Sequence, residues 1–450
     1  NSGYTQSNRF GQSASIYPDG CIFACASKSQ NTNSNRLLMK KLLVIWHVLS
    51  VYVGFAQHLR SYDVDSSFNG KQLILVNGTV DYSASTMRNE VLSPLIFGGY
   101  IDSMAKGRSM DADKPFNTVG LEASASYTHY VSLKNKEGFP SRWMVGPTLG
   151  STFMGSLKYT SDLYTLAFYG NEPFLGKYAD FSYSEASYYQ FQTLGVSLFD
   201  RLSQSSASLN LVGLNSYYKG TLGGLDPMKF YYSSEGDSIY GICNGSFSQL
   251  TSPAYFKGFG LALSGDYRFN IANEETGKSM SMQLSISNLG FAVSNSVQTQ
   301  TLDTSFAYGG YTLSQLINRE GLLAPGFSYA DSLLETETRS KVIFLPASIQ
   351  IFNVINTQSP VRIQPSYGFR MILIPGYIPY VYAGVVTKVI PGLHLGLCAS
   401  YGGFSGFKLN SAIHYNYKRL SLGVGSDNVI GLVSKRAFGK SLSIRLRCDI

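Results

Sequence analysis

The sequence predicts an all-β protein, a transmembrane antiparallel β-barrel of about fourteen strands. Charged residues make up 14% of the 450 residues, well below the roughly 25% that is usual in soluble domains. Apolar and polar residues alternate over segments that are often longer than the about nine to eleven residues a strand needs to cross a bilayer. Because no apolar run reaches about 18 residues, membrane-spanning helices are excluded.

Two segments at the start of the chain are expected to lie outside the fold. In residues 39–56, two lysines precede a short apolar run that ends in small residues, which is typical of a signal peptide cleaved between Ala56 and Gln57. A short membrane anchor is the alternative. Residues 1–38 are polar and rich in Asn and Ser. We interpret them as upstream read-through before Met39 or as a disordered extension.

Residues 57–116 follow the predicted cleavage point and precede the first long alternating segment. Counting 72–86 as a further strand would place the long connections on the periplasmic side of the barrel, which is opposite to the usual arrangement. We therefore predict that 57–116 lies outside the barrel wall. Residues 88–106 look helical or irregular, so this segment is a candidate plug of the barrel mouth, with a mobile surface loop as the alternative.

The barrel itself is predicted to span residues 117–450. Successive side chains of a strand point to opposite faces, so each alternating segment has one apolar and one polar face. Short and long connections between these segments fall mostly on opposite sides, as periplasmic turns and outer loops do. The predicted strands are 117–134, 141–153, 156–169, 187–200, 205–218, 256–271, 278–298, 341–355, 360–374, 378–390, 392–401, 404–417, 418–427 and 440–450.

Charged residues in the polar phase of these strands are predicted to point into the lumen. They are Glu122, Asp266, Arg268, Arg362, Arg370, Lys408, Arg445 and Arg447. One interpretation is structural: opposite charges on neighbouring strands pair with each other and hold the wall together. The alternative is functional: these charges line a selective pore. An interior enclosed by about fourteen strands is wider than wall side chains alone can fill. Plug, loops, water or ligand must therefore occupy part of it.

Enzymatic and cofactor chemistry has no support in the sequence. Residues 272–279 loosely match a phosphate-binding loop, but an alternating strand follows at once where such a loop needs a helix. The three cysteines beyond residue 56 have no metal-ligand spacing, and the histidines are scattered. We expect a non-enzyme without cofactor or metal. The formal net charge of +8 falls when the basic leader is removed, and we expect no nucleic-acid partner.

Four short stretches resemble a known group of proteins. They are 93–102 (SPLIFGGYID), 162–171 (DLYTLAFYGN), 285–291 (SISNLGF) and 425–432 (GSDNVIGL). They resemble an uncharacterised family of Bacteroidota outer-membrane β-barrels, a domain of unknown function that is distantly similar to fatty-acid-transporter-like barrels. The resemblance implies residence in the cell outer membrane, with membrane lipid and the barrel-assembly machinery as partners. It implies no catalytic residues. The chain departs from many such barrels by ending in Ile450 rather than in an aromatic residue.

Two functional hypotheses follow from this fold. The first is a conduit or binding barrel for a hydrophobic or small polar solute, based on the size of the barrel and the candidate plug. The second is a structural or interaction barrel whose long loops, mainly 219–255 and 299–340, dock a surface or secretion partner.

Overall fold

The computed structural model describes residues 70–110, 114–134, 140–272, 279–309 and 334–450. Within these residues, eighteen strands form one sheet. Their bounds are β1 (Gln72–Ala84), β2 (Asn117–Lys134), β3 (Pro140–Tyr159), β4 (Lys177–Asp180), β5 (Ser184–Asp200), β6 (Ser205–Leu222), β7 (Lys229–Tyr232), β8 (Ile239–Leu250), β9 (Gly258–Ala272), β10 (Ser279–Tyr308), β11 (Leu334–Phe344), β12 (Ser348–Asn353), β13 (Ile363–Ile372), β14 (Ile378–Ile390), β15 (Leu393–Gly403), β16 (Ser405–Tyr417), β17 (Leu420–Ser426) and β18 (Gly439–Asp449).

Fourteen of the described strands close into an antiparallel barrel, which confirms the predicted fold. The wall is closed by β1, which pairs with β18 on one side and with β2 on the other. Such closure leaves no free edge in the fourteen-stranded wall, as a structure in lipid requires. The order around the wall is β1, β2, β3, β5, β6, β9, β10, β12, β13, β14, β15, β16, β17, β18.

The closing strand corrects one prediction. Residues 72–84 belong to the wall, so the prediction that all of 57–116 lies outside it is wrong. A second prediction is also wrong, because 156–169 is not a separate strand: β3 continues to Tyr159, and a helix follows from Ser161. The two errors cancel in the strand count. The prefix 1–38, the predicted signal peptide 39–56 with its predicted cleavage point, and residues 57–69 lie outside the described residues.

The two ends of the barrel differ in their connections. One end, here called the turn end, carries the described connections 201–204, 354–362, 391–392 and 418–419, together with both ends of the described barrel chain. The opposite end, here called the loop end, carries 85–110, 114–116, 160–183, 223–238 and 427–438, and the two short connections 373–377 and 404. With β1 in the wall, the long connections that the structure describes lie at the loop end. This asymmetry is typical of outer-membrane barrels, in which the turns are periplasmic.

The outer face of the wall is apolar around the barrel. Large apolar side chains are between 44% and 62% exposed there, with no protein layer covering them. They include Leu194, Val196, Leu209, Leu211, Leu261, Leu263, Val381, Leu397 and Ile444. An apolar band of this extent is the surface that a lipid-facing barrel presents. Among the described residues, no helix is long and apolar enough to cross a membrane.

Among the described residues, four short α-helices lie at the loop end. They are α1 (Asn89–Phe97), α2 (Ser103–Arg108), α3 (Ser161–Tyr169) and α4 (Val429–Val433). Val91, Ala105 and Tyr164 from the first three form one buried cluster with Tyr82 of β1 and Tyr159 of β3. Thr79 of β1 and Met154 of β3 line the lumen. Tyr82 and Tyr159 occupy the alternate positions of these strands and therefore point outward. The helices α1 to α3 therefore pack against the outside of the wall, so the described part of 57–116 lies in the wall and on its outer surface.

Asn89 fastens α1 to the connection between β17 and β18. Its side-chain amide donates to the carbonyl oxygens of Gly431, Ser434 and Gly439 at 3.0, 3.1 and 3.2 Å, and its side-chain oxygen accepts from Gly439 N–H at 2.8 Å. The side chain is buried. Gly439 has a φ of 123°, a conformation that side chains rarely adopt.

Replacing Asn89 with alanine should detach this contact. Buried backbone groups of the 427–438 connection would lose their partners, and each costs about 1–3 kcal/mol when left unpaired. We expect faster proteolysis of this connection in folded protein, measured by limited digestion and mass spectrometry. Asn117→Ala, which removes a buried side chain of similar size at the start of β2, serves as the control. Equal protection of Asn89→Ala and wild type would contradict the role assigned to Asn89.

Four strands extend the sheet beyond the wall at the loop end. The 30-residue strand β10 pairs with β9 in its first half and with β8 in its second half. Its second half also pairs with β11, while β4 pairs with β7 and β7 pairs with β8. Since about nine to eleven residues cross a bilayer, this extension, made of β4, β7, β8, β11 and the second half of β10, projects past the membrane-spanning part.

Candidate functional site in the barrel interior

Three cavities follow one another along the barrel axis. The largest, of about 240 Å³, lies toward the turn end; the middle one measures about 90 Å³, and the one at the loop end about 20 Å³. Residues of β1 show the order of the cavities along the axis: Leu75 lines the first, Thr79 the second and Asp81 the third. A volume of about 20 Å³ holds little more than one water molecule. The described cavities therefore narrow from the turn end toward the loop end.

The cavity toward the turn end has a polar lining. Hydroxyl and amide side chains on seven wall strands provide donors and acceptors, among them Asn77, Ser126, Thr152, Thr193, Asn210 and Gln283. Asp266, Arg268, Arg445 and Arg447 add charges of both signs. Arg447 Nε lies 3.0 Å from the Asp449 carboxylate. Such a lining can form hydrogen bonds with a small polar molecule from several directions at once.

An ion pair crosses the lumen between the middle cavity and the loop-end cavity. Arg370 of β13 donates to the Glu122 carboxylate of β2 at 2.8 Å, and both side chains are buried, with 9% and 12% exposed. Six wall strands separate β2 from β13 in either direction around the barrel. Side chains can only just fill the interior of a barrel of about eight strands, so opposite walls must approach each other here. Arg370 and Glu122 line both cavities, and their contact lies at the boundary between them.

Two short connections complete the closure at the loop end by folding inward. Phe404, between β15 and β16, packs so tightly on β2 that a Cβ at Gly120 would lie 1.8 Å from its ring. Its carbonyl oxygen accepts a hydrogen bond from the Thr118 hydroxyl at 2.9 Å. Phe404 also belongs to a buried cluster with Met154 of β3 and Ile372 of β13. Apolar packing thus joins opposite walls on the loop-end side of the Arg370–Glu122 ion pair.

A polar network surrounds the loop-end cavity. Asp81, Lys408 and Asp427 line it together with Tyr377 and Tyr380. The Lys408 ammonium lies 5.5 Å from the centre of the Tyr380 ring, a cation–π arrangement. Together with Arg370 and Glu122, the network places three carboxylates and two cations in one buried group. Removal of either cation would leave buried carboxylates without compensation in a low-dielectric interior.

The structure places seven of the eight predicted lumen residues on these cavities. Asp266, Arg268, Arg445 and Arg447 line the cavity toward the turn end, while Glu122, Arg370 and Lys408 line the loop-end group. Arg362 is the exception: it lies exposed in the 354–362 connection, one residue before β13 begins. Arg362 has the same parity as the inward residue Arg370, but β13 begins only at Ile363. The side chain of Arg362 is therefore not part of the wall. The predicted cleavage residues Ala56 and Gln57 lie outside the described residues.

Several residues of the site were not predicted. Asp81 was missed because its strand was assigned outside the wall. Asp427 and Phe404 are terminal residues of the predicted strands 418–427 and 404–417, but the structure places both in connections. Tyr377 belongs to a short connection, where an alternating pattern carries no signal. Tyr380 is an uncharged residue of β14, whereas the predicted lumen set contains charged residues only. Two glycines with positive φ, Gly402 and Gly403, precede Phe404 and are the sequence feature that could have indicated its sharp inward turn.

No group of three or more metal-ligating side chains occurs among the residues that the structure describes. Cys243, Cys398 and Cys448 form no disulfide bond with one another. The described interior offers hydroxyl, amide and charged side chains that can form hydrogen bonds with a solute.

Comparisons with known proteins return outer-membrane barrels of low similarity. The ΔS2S3 mutant of the monoaromatic hydrocarbon channel TodX has a TM-score of 0.43 and 10% identity, covering 89% of this chain and 95% of that one. The toluene transporter TbuX of Ralstonia pickettii has a TM-score of 0.34 and 9% identity, covering 85% and 90%. The translocator domain of the autotransporter NalP from Neisseria meningitidis has a TM-score of 0.30 and 8% identity, covering 93% and 98%. No protein-family model and no curated protein sequence matches the chain.

Proposed function

We propose that this protein is an outer-membrane conduit or binding barrel for a small polar solute. The observation that carries the proposal is the cavity of about 240 Å³ with its hydroxyl, amide and charged lining. The apolar outer band and the location of the described long connections at one end support placement in the outer membrane, with the turn end facing the periplasm. The polar lining favours a polar solute over a hydrophobic one.

In the proposed mechanism, the described conformation is the closed one. A solute would enter the cavity from the turn end and exchange hydration for hydrogen bonds with Ser, Thr, Asn and Gln side chains. Passage to the loop end requires separation of Arg370 from Glu122 and withdrawal of Phe404 from β2. The resemblance to Bacteroidota outer-membrane barrels fits this proposal, and a non-enzymatic role without cofactor is part of it.

Membrane placement is tested first, by fractionation of the expressed protein and by its gel mobility with and without boiling. A folded barrel in the outer-membrane fraction should migrate differently before boiling. Recovery in the periplasm or medium, with unchanged mobility, would overturn the placement.

Filling the main cavity should block the solute. Ser126 lines both larger cavities, whereas the neighbouring Tyr127 points outward and is 37% exposed. We expect Ser126→Trp to reduce the swelling rate of proteoliposomes in amino acids or monosaccharides by several-fold, while Tyr127→Trp leaves it unchanged. Identical rates for both variants and wild type would count against the conduit. Uptake of toluene in place of these solutes would instead favour a hydrophobic cargo.

The sheet extension at the loop end favours a second candidate, an interaction barrel. Tyr178 on β4 and Tyr240 on β8 are 64% and 53% exposed on it. A photo-crosslinking amino acid at either position should then capture one defined surface protein, and the same group at Tyr417 near the turn end should not. Absence of a position-specific product would remove this candidate.

A further inference from the structure

The outer surface of the loop end carries a cluster of arginines around one carboxylate. Arg108 of α2 binds Glu90 of α1 through two hydrogen bonds of 2.8 and 2.9 Å. That hydrogen bond, with additional attraction from Arg88 and Arg436, lowers the pKa of Glu90 below its ordinary value. Three guanidinium groups therefore lie within electrostatic range of a single carboxylate. The cluster keeps a local excess of positive charge.

The cluster is built into the fold rather than formed by mobile surface chains. Arg88 donates to the carbonyl oxygens of Arg108 at 2.9 Å and of Arg436 at 3.3 Å. Its guanidinium carbon also lies 5.4 Å from the centre of the Phe438 ring. The backbone N–H of Glu90 donates to the carbonyl oxygen of Lys435 at 2.9 Å. Arg88 thus fixes α1, α2 and the 427–438 connection around the carboxylate.

Exposed apolar side chains lie on the same helices and on the same connection as these charges. Met104 is 69% exposed and lies one helical turn before Arg108 on the same face of α2. Val433 is 85% exposed and precedes Arg436 by three residues. Phe97 is 71% exposed, with its ring against Tyr82 on the outer face of β1 at 5.8 Å. Exposed apolar groups of this size usually mark a contact surface.

The position of this surface indicates its occupant. Helices α1 and α2 pack on the outward side chains of β1 to β3, at the loop-end limit of the apolar band that faces lipid. A surface continuous with that band, with apolar side chains and an excess of guanidinium groups, matches the boundary between acyl chains and headgroups. Guanidinium groups bind phosphate oxygens in a bidentate geometry.

We infer that α1, α2 and the 427–438 connection form a binding site on the outside of the barrel for the phosphate headgroup of a membrane lipid. Arg108 and Arg436 hold the phosphate, Glu90 competes with it, and Met104, Phe97 and Val433 contact the first part of the acyl chains. This inference uses the membrane placement proposed above, but not the conduit.

The test is native mass spectrometry of the full chain released from nanodiscs of phosphatidylcholine containing lipid A, whose phosphates are monoesters. We expect retained lipid A on wild type, at least tenfold less on Arg108→Gln/Arg436→Gln, and wild-type retention on the control Lys177→Gln/Arg419→Gln. Glu90→Gln removes the competing carboxylate and should increase retention. Lipid A retention should thus fall in Arg108→Gln/Arg436→Gln and rise in Glu90→Gln. Both variants lose the Arg108–Glu90 contact, so a mere loss of that contact would change retention in the same direction in both.

Two outcomes would overturn the inference. One is equal retention of lipid A by wild type and the Arg108→Gln/Arg436→Gln variant. The other is full displacement of lipid A by millimolar inorganic phosphate, which would show a site for free anion rather than for lipid. Insertion into nanodiscs and conductance are recorded on the same samples. Failure of lipid retention in a correctly inserted barrel therefore leaves the proposed function intact.

Discussion

Replacing Arg370 with alanine should open the barrel toward the loop end and destabilise it. The substitution leaves the Glu122 carboxylate buried without the guanidinium that lies 2.8 Å from it. Breaking a buried ion pair in this way typically costs about 3–5 kcal/mol. It also removes the contact that joins opposite walls at the boundary of two cavities. We expect higher single-channel conductance in planar bilayers and a lower free energy of unfolding in urea.

The exposed pair of Arg339 and Glu337 provides the matched control. Its side chains are 57% and 61% exposed, and such pairs contribute about 0–1 kcal/mol. Arg339→Ala should therefore leave conductance and stability near wild type. Glu122→Ala/Arg370→Ala should be less destabilised than Arg370→Ala alone, because the Glu122 carboxylate is removed together with its partner. If Arg370→Ala behaves like Arg339→Ala, the ion pair does not close the lumen.

Replacing Gly120 with valine should displace Phe404 from β2. A Cβ at this position would lie 1.8 Å from the Phe404 ring, so the inward turn must move and the Thr118 hydrogen bond to it must break. Overpacking of this kind costs about 1–3 kcal/mol. Conductance should rise, since the apolar contact between opposite walls is lost. The measurement is again single-channel recording, combined with unfolding in urea.

Gly78→Val tests whether valine in a wall strand is harmful in itself. Gly78 belongs to the outward phase of β1, and a Cβ there meets no atom within 4 Å. This variant should match wild type in both measurements. Phe404→Ala/Gly120→Val should recover the stability of Phe404→Ala while keeping high conductance. Unchanged conductance in Gly120→Val would show that Phe404 is no part of the closure.

The fold was predictable because alternation is local, whereas the closure of the lumen is not. Eleven to eighteen residues of unbroken alternation in β2 or β18 identify a wall strand without knowledge of its neighbours. The helix α3 was misread because its aromatic residues also suit a strand, although Thr160 accepts from Leu163 N–H as an N-cap and Gly170 ends the helix. These capping signals were present in the sequence.

The site was predictable only as a set of inward charges. The phase of a strand decides that Glu122 and Arg370 point inward, but their contact depends on how opposite walls approach. That approach comes from Phe404 and from the cluster of Met154 and Ile372, which brings together side chains from distant strands. Asp81 was absent from the predicted lumen for a different reason. Its strand, β1, was assigned outside the wall, so its inward charge was not counted.

The pairing of the first wall strand with the last has a consequence for assembly. The N–H and carbonyl groups of Gln72 and Ile450 bond to each other at 2.9 Å in both directions, so the first and last described wall strands are neighbours. This contact spans the largest sequence separation in the described barrel, and loop closure over such a distance is slow. The cylinder therefore cannot close before β18 has been synthesised. The same proximity would allow Ile450 to be joined to Gln72 and new termini to be cut in a turn such as 418–419, yielding a circularly permuted barrel with the same wall.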